Sequence, residues 1–426
     1  MRVWLAYGRD GLHVRIPDGA HAIEPQFEPA LPAPLEAVRQ ALAKPLGTLP
    51  LKDLLDSKQR VCIVHSDGTR PMPGELLLTA LAEVFSQVGI PDAQITLLNA
   101  LGTHRPNTRE ELRELVGEEP LRRYRSEQSR STDAAAMRAV GRLSDGTTVE
   151  LHRAYVDADF RILLGFIEPH FFAGFSGGPK SVVPGVASQR VIQHVHRAEL
   201  VAHPQATWGV LDGNPLWETL YEGACLCPPD FIINVALNKE KKVTAVFAGS
   251  LDTAHRQGVE YVRKSAMRAV PKLFDVVVTT NSGYPLDQNL YQTVKGMSAA
   301  ARVVRPGGAI IMAAECADGI PDHGAFGEIV REAGSSEKIL ELVHSAGYCR
   351  PDQWQAQVLA QVLQKAQVYL YSDGISATQA RSMLLEPITD LEQTIRTVAA
   401  AHEAATGRPA EICVLPQGPL TIPYVG

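Results

Sequence analysis

Apolar residues along the chain fall into two alternating patterns. Short continuous runs, such as Arg60-Val-Cys-Ile-Val64, Ile95-Thr-Leu-Leu98 and Arg161-Ile-Leu-Leu-Gly165, read as buried strands. From Glu75 to Val88, Leu76, Leu77, Ala80, Leu81, Val84 and Phe85 recur at helical spacing. Thr108 with Glu111 three positions on marks a helix start with a capping box. Ser188 to about Val201 reads as a helix, and Phe231–Leu237 reads as a strand paired with Lys242–Ala248. A second block opens near Pro271. It holds a strand at Asp275–Thr279, a helix at Leu290–Val303, a turn at Arg305-Pro-Gly-Gly308 and a strand at Ala309–Ala313, with later strands at Val368–Tyr371 and Ile412–Leu415. Strand, polar loop, helix, strand is the order of a parallel α/β sheet. The expectation is two α/β domains with largely parallel sheets, 1–268 and 269–426, with the active site in the cleft between them.

Composition narrows the class. The 426 residues carry a net charge of −6, with 45% hydrophobic and 21% charged residues, which suits a folded globular chain rather than a disordered one. The faintly acidic balance argues against nucleic acid as a partner. No apolar run reaches the ~20 residues of a membrane span, and the start, a strand, a Gly turn and a second strand, lacks a signal-peptide profile. Six cysteines in so long a chain do not make a disulfide framework, so the expected location is cytoplasmic, with no membrane partner. The 34 Gly, 29 Pro and 13 His matter only through their positions.

Loops after strands hold the candidate chemistry. His65, His104 and His170 each sit at a strand end, and such ends converge in a parallel sheet. Gly174-Phe-Ser-Gly-Gly-Pro-Lys180 resembles a phosphate loop, but Pro179 stands where the Walker pattern needs glycine, and proline offers no N–H. Its glycines still allow close backbone approach to a ligand. On a helix, His194 and His196 would point about 200° apart and not share a ligand. Cys225-Leu-Cys227, without a second pair, reads as buried structural thiols. Gln292 and Lys295 fall on one helix face, either a site or a solvated surface. Asp67-Gly-Thr-Arg70 suits either an anion site or a helix-capping Asp beside a surface Arg.

Together these segments resemble the nickel-dependent lactate racemase family. The resemblance runs through Asp67-Gly-Thr-Arg-Pro71, Gly102-Thr-His-Arg-Pro106, Pro169-His170, Gly174 to Lys180, Pro184-Gly185, His196, Tyr291-Gln292-Thr-Val-Lys295 and Glu315-Cys-Ala-Asp-Gly319. It implies a nickel pincer nucleotide (a pyridinium-3-thioamide-5-thiocarboxylic acid mononucleotide) linked covalently to Lys180, with His196 as the protein's nickel ligand. Soft sulfur and carbon donors plus one imidazole suit planar nickel(II), and bringing most ligands with the cofactor would explain the absence of a Cys/His cluster. It further implies His104 and His170 as paired acid/bases, and Arg70 and Lys295 as holders of the substrate carboxylate. Gln292 and Tyr291 match polar contacts, Trp354 an active-site Trp, and Asp67, Thr69, Ser176 and Gly177 the cofactor surroundings. The implied substrate is a 2-hydroxy acid, and enzymes that build the cofactor are the implied activating partners. A non-catalytic cofactor carrier, or a zinc hydrolase using the same histidines, are the other readings.

Overall fold

The computed structural model describes residues 1–322 and 324–426. Contacts divide the chain into two compact units. One comprises Phe27–His196 and His203–Lys264; the other comprises Met1–Gln26, Arg197–Ala202 and Ser265–Gly426. By this division residues 1–26 group with the later unit, where a single cut at 268/269 puts them with the first. Val3, Leu5, Tyr7, Val14 and Ile16 pack into one core with Val276, Val278, Ile311 and Val414, so burial of their apolar side chains ties residues 1–26 to the later sheet.

The strands of the two main sheets are, in chain order, β1 (His21–Ala22), β2 (Val61–Ser66), β3 (Ile95–Ala100), β4 (Arg125–Gln128), β5 (Phe160–Phe166), β6 (Phe231–Leu237), β7 (Val243–Gly249), β8 (Phe274–Thr280), β9 (Val304–Ala313), β10 (Ala366–Tyr371), β11 (Glu386–Ile388) and β12 (Ile412–Leu415). In the first unit the order is β7-β6-β5-β2-β3-β4, all parallel except β7, which runs antiparallel to β6. The near-unbroken apolar sequences of β5 and β6 follow from burial on both faces. From β2 the chain steps outward through β3 to β4, then returns to the other side of β2 with β5. The order thus reverses between β2 and β5, and in such sheets ligands bind beyond the carboxyl ends at the reversal.

The second unit repeats the logic with the fully parallel order β11-β10-β9-β8-β12-β1. Its reversal lies between β8 and β12. Helix α1 (Gly74–Val88) follows the β2 loop, α2 (Arg109–Val116) follows β3, and α2 carries the expected Thr108–Glu111 capping box. The expected helix from Ser188 to Val201 is two pieces. Helix α3 (Gln189–Val195) ends at His196, whose φ of −112° leaves the helical region, and Ala198–Val201 is a separate short helix. Helices α4 (Leu251–Ala266), α5 (Leu290–Ala301) and α6 (Gln353–Lys365) complete the elements used below. Cys225 is exposed and Cys227 partly so, which corrects the expectation of buried thiols at that pair. No helix among the described residues is long and apolar enough to cross a membrane.

Candidate active site

Asp67 to Arg70 leave the carboxyl end of β2, and His104 sits in the turn after β3. The Asp67 carboxylate lies 2.6 Å from His104 Nδ1. It also accepts the Thr69 hydroxyl at 2.8 Å. Burial pushes the Asp67 carboxyl up, but His104, then Arg70 and Thr69, outweigh this and hold it below the usual carboxylate range. An ionised carboxylate only accepts, so Nδ1 of His104 carries the hydrogen and Nε2 is the basic atom. The helix-capping alternative for Asp67 does not hold: α1 starts at Gly74 and its cap is Pro73.

Across the reversal, Glu168 and His170 follow β5. Arg70 Nε lies 2.9 Å from Glu168 Oε1, with only 14% and 8% of the two side chains exposed. Arg70 is thus an ion-paired residue at the switch point rather than a surface arginine. The Ala173 N–H donates to His170 Nδ1 at 3.3 Å. In the neutral His170 ring the hydrogen therefore belongs on Nε2, the opposite tautomer from His104.

The Gly174–Lys180 loop folds back beside β5. Gly177 (φ +78°) and Gly178 (φ +50°) adopt left-handed backbone, and a Cβ on Gly178 would meet the His255 ring at 2.7 Å. The Gly178 N–H donates to Asn234 Oδ1 at 3.0 Å, and His255 Nε2 donates to the Ser176 carbonyl at 3.0 Å. Ser176, expected near the cofactor, uses its hydroxyl within the scaffold: it accepts the Glu168 N–H at 3.0 Å and donates to the Phe166 carbonyl at 2.9 Å. These bonds anchor the loop that carries Lys180, whose Nζ lies 5.8 Å from the centre of the Phe172 ring. Burial first, and the charge of Arg70 second, pull the Lys180 amine down to about 7, against the opposing effect of Glu168.

His196 caps α3 and packs edge-on against the Phe172 ring, 5.2 Å between centres, while His170 packs on the same ring at 4.6 Å. His196 Nδ1 donates to the Ile192 carbonyl at 2.8 Å, so Nε2 carries the lone pair. Burial and the Lys180 charge push this imidazole down to about 3, keeping it neutral. A neutral imidazole with its other nitrogen tied to a carbonyl is the state of a metal ligand. His194, two residues earlier, instead pairs with Asp145 at 2.7 Å near the surface. Among the described residues no group of three or more His, Cys, Asp or Glu side chains is arranged to hold a metal ion. His65, the third strand-end histidine, is fully buried within β2 and pushed down to about 4 by that burial.

The second unit carries its own cluster on α5 and α6. Asn289 caps α5 by accepting the Gln292 N–H at 3.0 Å. Lys295 Nζ donates to Gln292 Oε1 at 2.5 Å, and both residues are buried, which settles against a solvated helix face. Trp354 Nε1 donates to the Tyr291 hydroxyl at 2.9 Å, and Gln355 bonds the Tyr291 carbonyl. Residues from distant stretches thus meet in each unit: Asp67, Thr69, Arg70, His104, His170, Gly177, Lys180 and His196 in one, and Tyr291, Gln292, Lys295 and Trp354 in the other.

Sequence reasoning missed Glu168, Asn234 and His255. Glu168 was the one available signal, as the only acid in the apolar run Phe166-Ile-Glu-Pro. Asn234 and His255 carry no local mark, since their partners lie in the loop some 56 and 79 positions away.

The family model for the lactate racemase N-terminal domain matches residues 7–209, and that for the lactate racemase C-terminal domain matches residues 270–422. The chain is 36% identical over 386 residues to the lactate racemase of Thermoanaerobacterium thermosaccharolyticum, covering 90% of this chain and 89% of that protein. It is 36% identical over 385 residues to the lactate racemase of Lactiplantibacillus plantarum, with the same coverage of 90% and 89%. The solved lactate racemase apoprotein from T. thermosaccharolyticum superposes with a TM-score of 0.89 at 33% identity, covering 99% of this chain and 100% of that one. A Thermotoga maritima structure shares the fold at 19% identity and a TM-score of 0.71, covering 92% of this chain and 98% of that one.

Proposed function

Because this chain belongs to the lactate racemase family, we propose that it interconverts the stereoisomers of a lactate-like 2-hydroxy carboxylic acid, with a nickel pincer nucleotide as its cofactor. The observation that carries this reading is the shared neighbourhood of Lys180 and His196, which both lie against the Phe172 ring beside His170.

The residues fit the group. An amine brought down to about 7 is substantially neutral at physiological pH and can act as a nucleophile, so Lys180 is suited to covalent attachment. His196 offers a neutral imidazole nitrogen, and the protein supplies no competing ligand cluster among the described residues. When bound, the cofactor would supply a reversible hydride acceptor for the substrate carbon. Removing that hydrogen as a proton, next to a carboxylate, would be far less favourable.

The chain's own groups do the rest. Arg70 is suited to hold the substrate carboxylate through its guanidinium; for Lys295 the same task, and for Gln292, Tyr291 and Trp354 polar and aromatic contacts, are what the family resemblance implies. His104 takes the hydroxyl proton at Nε2, and Asp67 offsets the charge this leaves on the ring. His170, set in the opposite tautomer, holds a proton at Nε2. A neutral imidazole does not give up its N–H, so His170 acts as the acid only in its charged form: His104 gains the hydroxyl proton as charged His170 returns one to the oxygen, and exchange with water restores the pair for the other enantiomer.

Intact-mass measurement with nickel analysis tests the cofactor, on protein produced together with the enzymes that build it. The expected result is added mass on the peptide containing Lys180 and nickel near one per chain. Unmodified Lys180 with no nickel overturns the assignment.

A further inference from the structure

Arg70 is gripped from two sides. Glu168 has both backbone polar groups committed to Ser176, its N–H to the hydroxyl at 3.0 Å and its carbonyl accepting the Ser176 N–H at 2.9 Å. From this anchored backbone the Glu168 carboxylate meets Arg70 Nε at 2.9 Å. On the other side, the Thr69 carbonyl and hydroxyl accept from Nη1 at 3.3 and 3.2 Å. Nη2 meets no acceptor among the described residues. A free arginine has many rotamers, whereas a guanidinium tied at Nε and Nη1 presents Nη2 in one direction.

We propose that Glu168 is a positioning residue for Arg70: it fixes which edge of the guanidinium meets the substrate carboxylate and sets how tightly that carboxylate is held. This rests on the reading of Arg70 as the carboxylate holder. A bound carboxylate shares one guanidinium with the Glu168 charge, so the same contact that aims Arg70 also weakens its hold. The site then binds its acid loosely enough to exchange either enantiomer, which a racemase needs.

The two roles separate by substitution. E168Q keeps an oxygen for Arg70 Nε but removes the like charge, so the Michaelis constant for lactate falls, by about tenfold or more for carboxylates ~7 Å apart at an effective dielectric of ~20. E168A removes the tie altogether, so the Michaelis constant rises and kcat falls together. A purely structural Glu168 would impair both variants in the same sense. An unchanged or raised Michaelis constant in E168Q, or matching behaviour of the two variants, overturns the proposal. Crystal structures of the two apoproteins give a readout independent of turnover: Arg70 keeps its place in E168Q and turns away in E168A. An unmoved Arg70 in E168A refutes the positioning role whatever the kinetics. Failure of the wild type to racemise any 2-hydroxy acid, with Arg70 displaced in E168A, would instead refute the functional reading and leave the positioning role standing.

Discussion

Replacing Asp67 with Asn removes one charge at the centre of the first cluster while preserving size. Asp67 sits 2.6 Å from His104 Nδ1, with 7% of its side chain exposed against 24% for His104. At an effective dielectric of ~20, unit charges about 4 Å apart interact by about 4 kcal/mol. Partial exposure of the imidazole lowers this to about 2–3 kcal/mol. If His104 becomes charged in the transition state, that loss slows turnover about 30- to 150-fold. A further penalty follows if the Asn amide donates to Nδ1, because the ring hydrogen then moves to Nε2 and the basic atom is lost, a change that costs up to about 10⁴-fold where a catalytic His depends on a carboxylate. For lactate the fall in kcat/KM must be equal in both directions, since two enantiomers have the same free energy in water. Chiral chromatography of single-enantiomer incubations measures it, with nickel content and circular dichroism as controls for loading and fold. A D67N protein that is loaded, folded and within threefold of wild type would refute the carboxylate–histidine coupling.

Other expectations follow from the same geometry. His104→Ala should keep nickel and the Lys180 adduct but lose racemisation, whereas Lys180→Ala should lose the adduct; normal turnover by H104A would break the two-base assignment. In the apoprotein, acylation of Lys180 by a small amine-directed reagent, followed by peptide mass mapping, should rise through pH about 7, well ahead of surface lysines; a Lys180 that reacts only near pH 10 would show that burial does not depress it. Glu111 is held down to about 2, chiefly by its hydrogen bonds from Arg105, with burial opposing and the Thr108 N–H assisting. Its folded value lies below the ordinary 4.5, so its contribution is present above 4.5 and is lost as pH falls toward about 2. E111Q should therefore cost about 1 kcal/mol in thermal or urea unfolding at neutral pH, allowing for solvent screening, with the deficit shrinking in acid; a pH-independent deficit would contradict this.

The elements most readable in the chain were those with strong local pattern. The expected Asp275–Thr279 strand is observed as Phe274–Thr280, and the Thr108–Glu111 capping box forms as its spacing implies. Both signals are complete within a few residues. The grouping of the N-terminal segment with the later sheet has no local signal because its partners are remote: β1 is two residues long and pairs with β12, nearly four hundred positions on. The break at His196 was hidden because Gln189–Val201 keeps a helical apolar pattern that backbone geometry interrupts. In the sequence, Arg70, His104 and His170 stood out by residue type after strands and Lys180 by its glycine-rich loop, whereas His196 was singled out only through the family resemblance. Glu168 and His255 did not stand out, since nothing in their local sequence names the backbone and guanidinium groups they hold. Ser176 shows the converse: a hydroxyl in a glycine-rich loop suggests a ligand contact, yet the fold uses both of its hydrogen bonds to secure Glu168.

The central claim is interconversion at a 2-hydroxy carbon. Its most direct test is incubation of the cofactor-loaded protein with pure L-lactate, and separately with pure D-lactate, followed by chiral chromatography over time. The account predicts that both converge on an equal mixture. Optically unchanged lactate from protein with nickel bound and Lys180 modified, with related 2-hydroxy acids equally untouched, would contradict it.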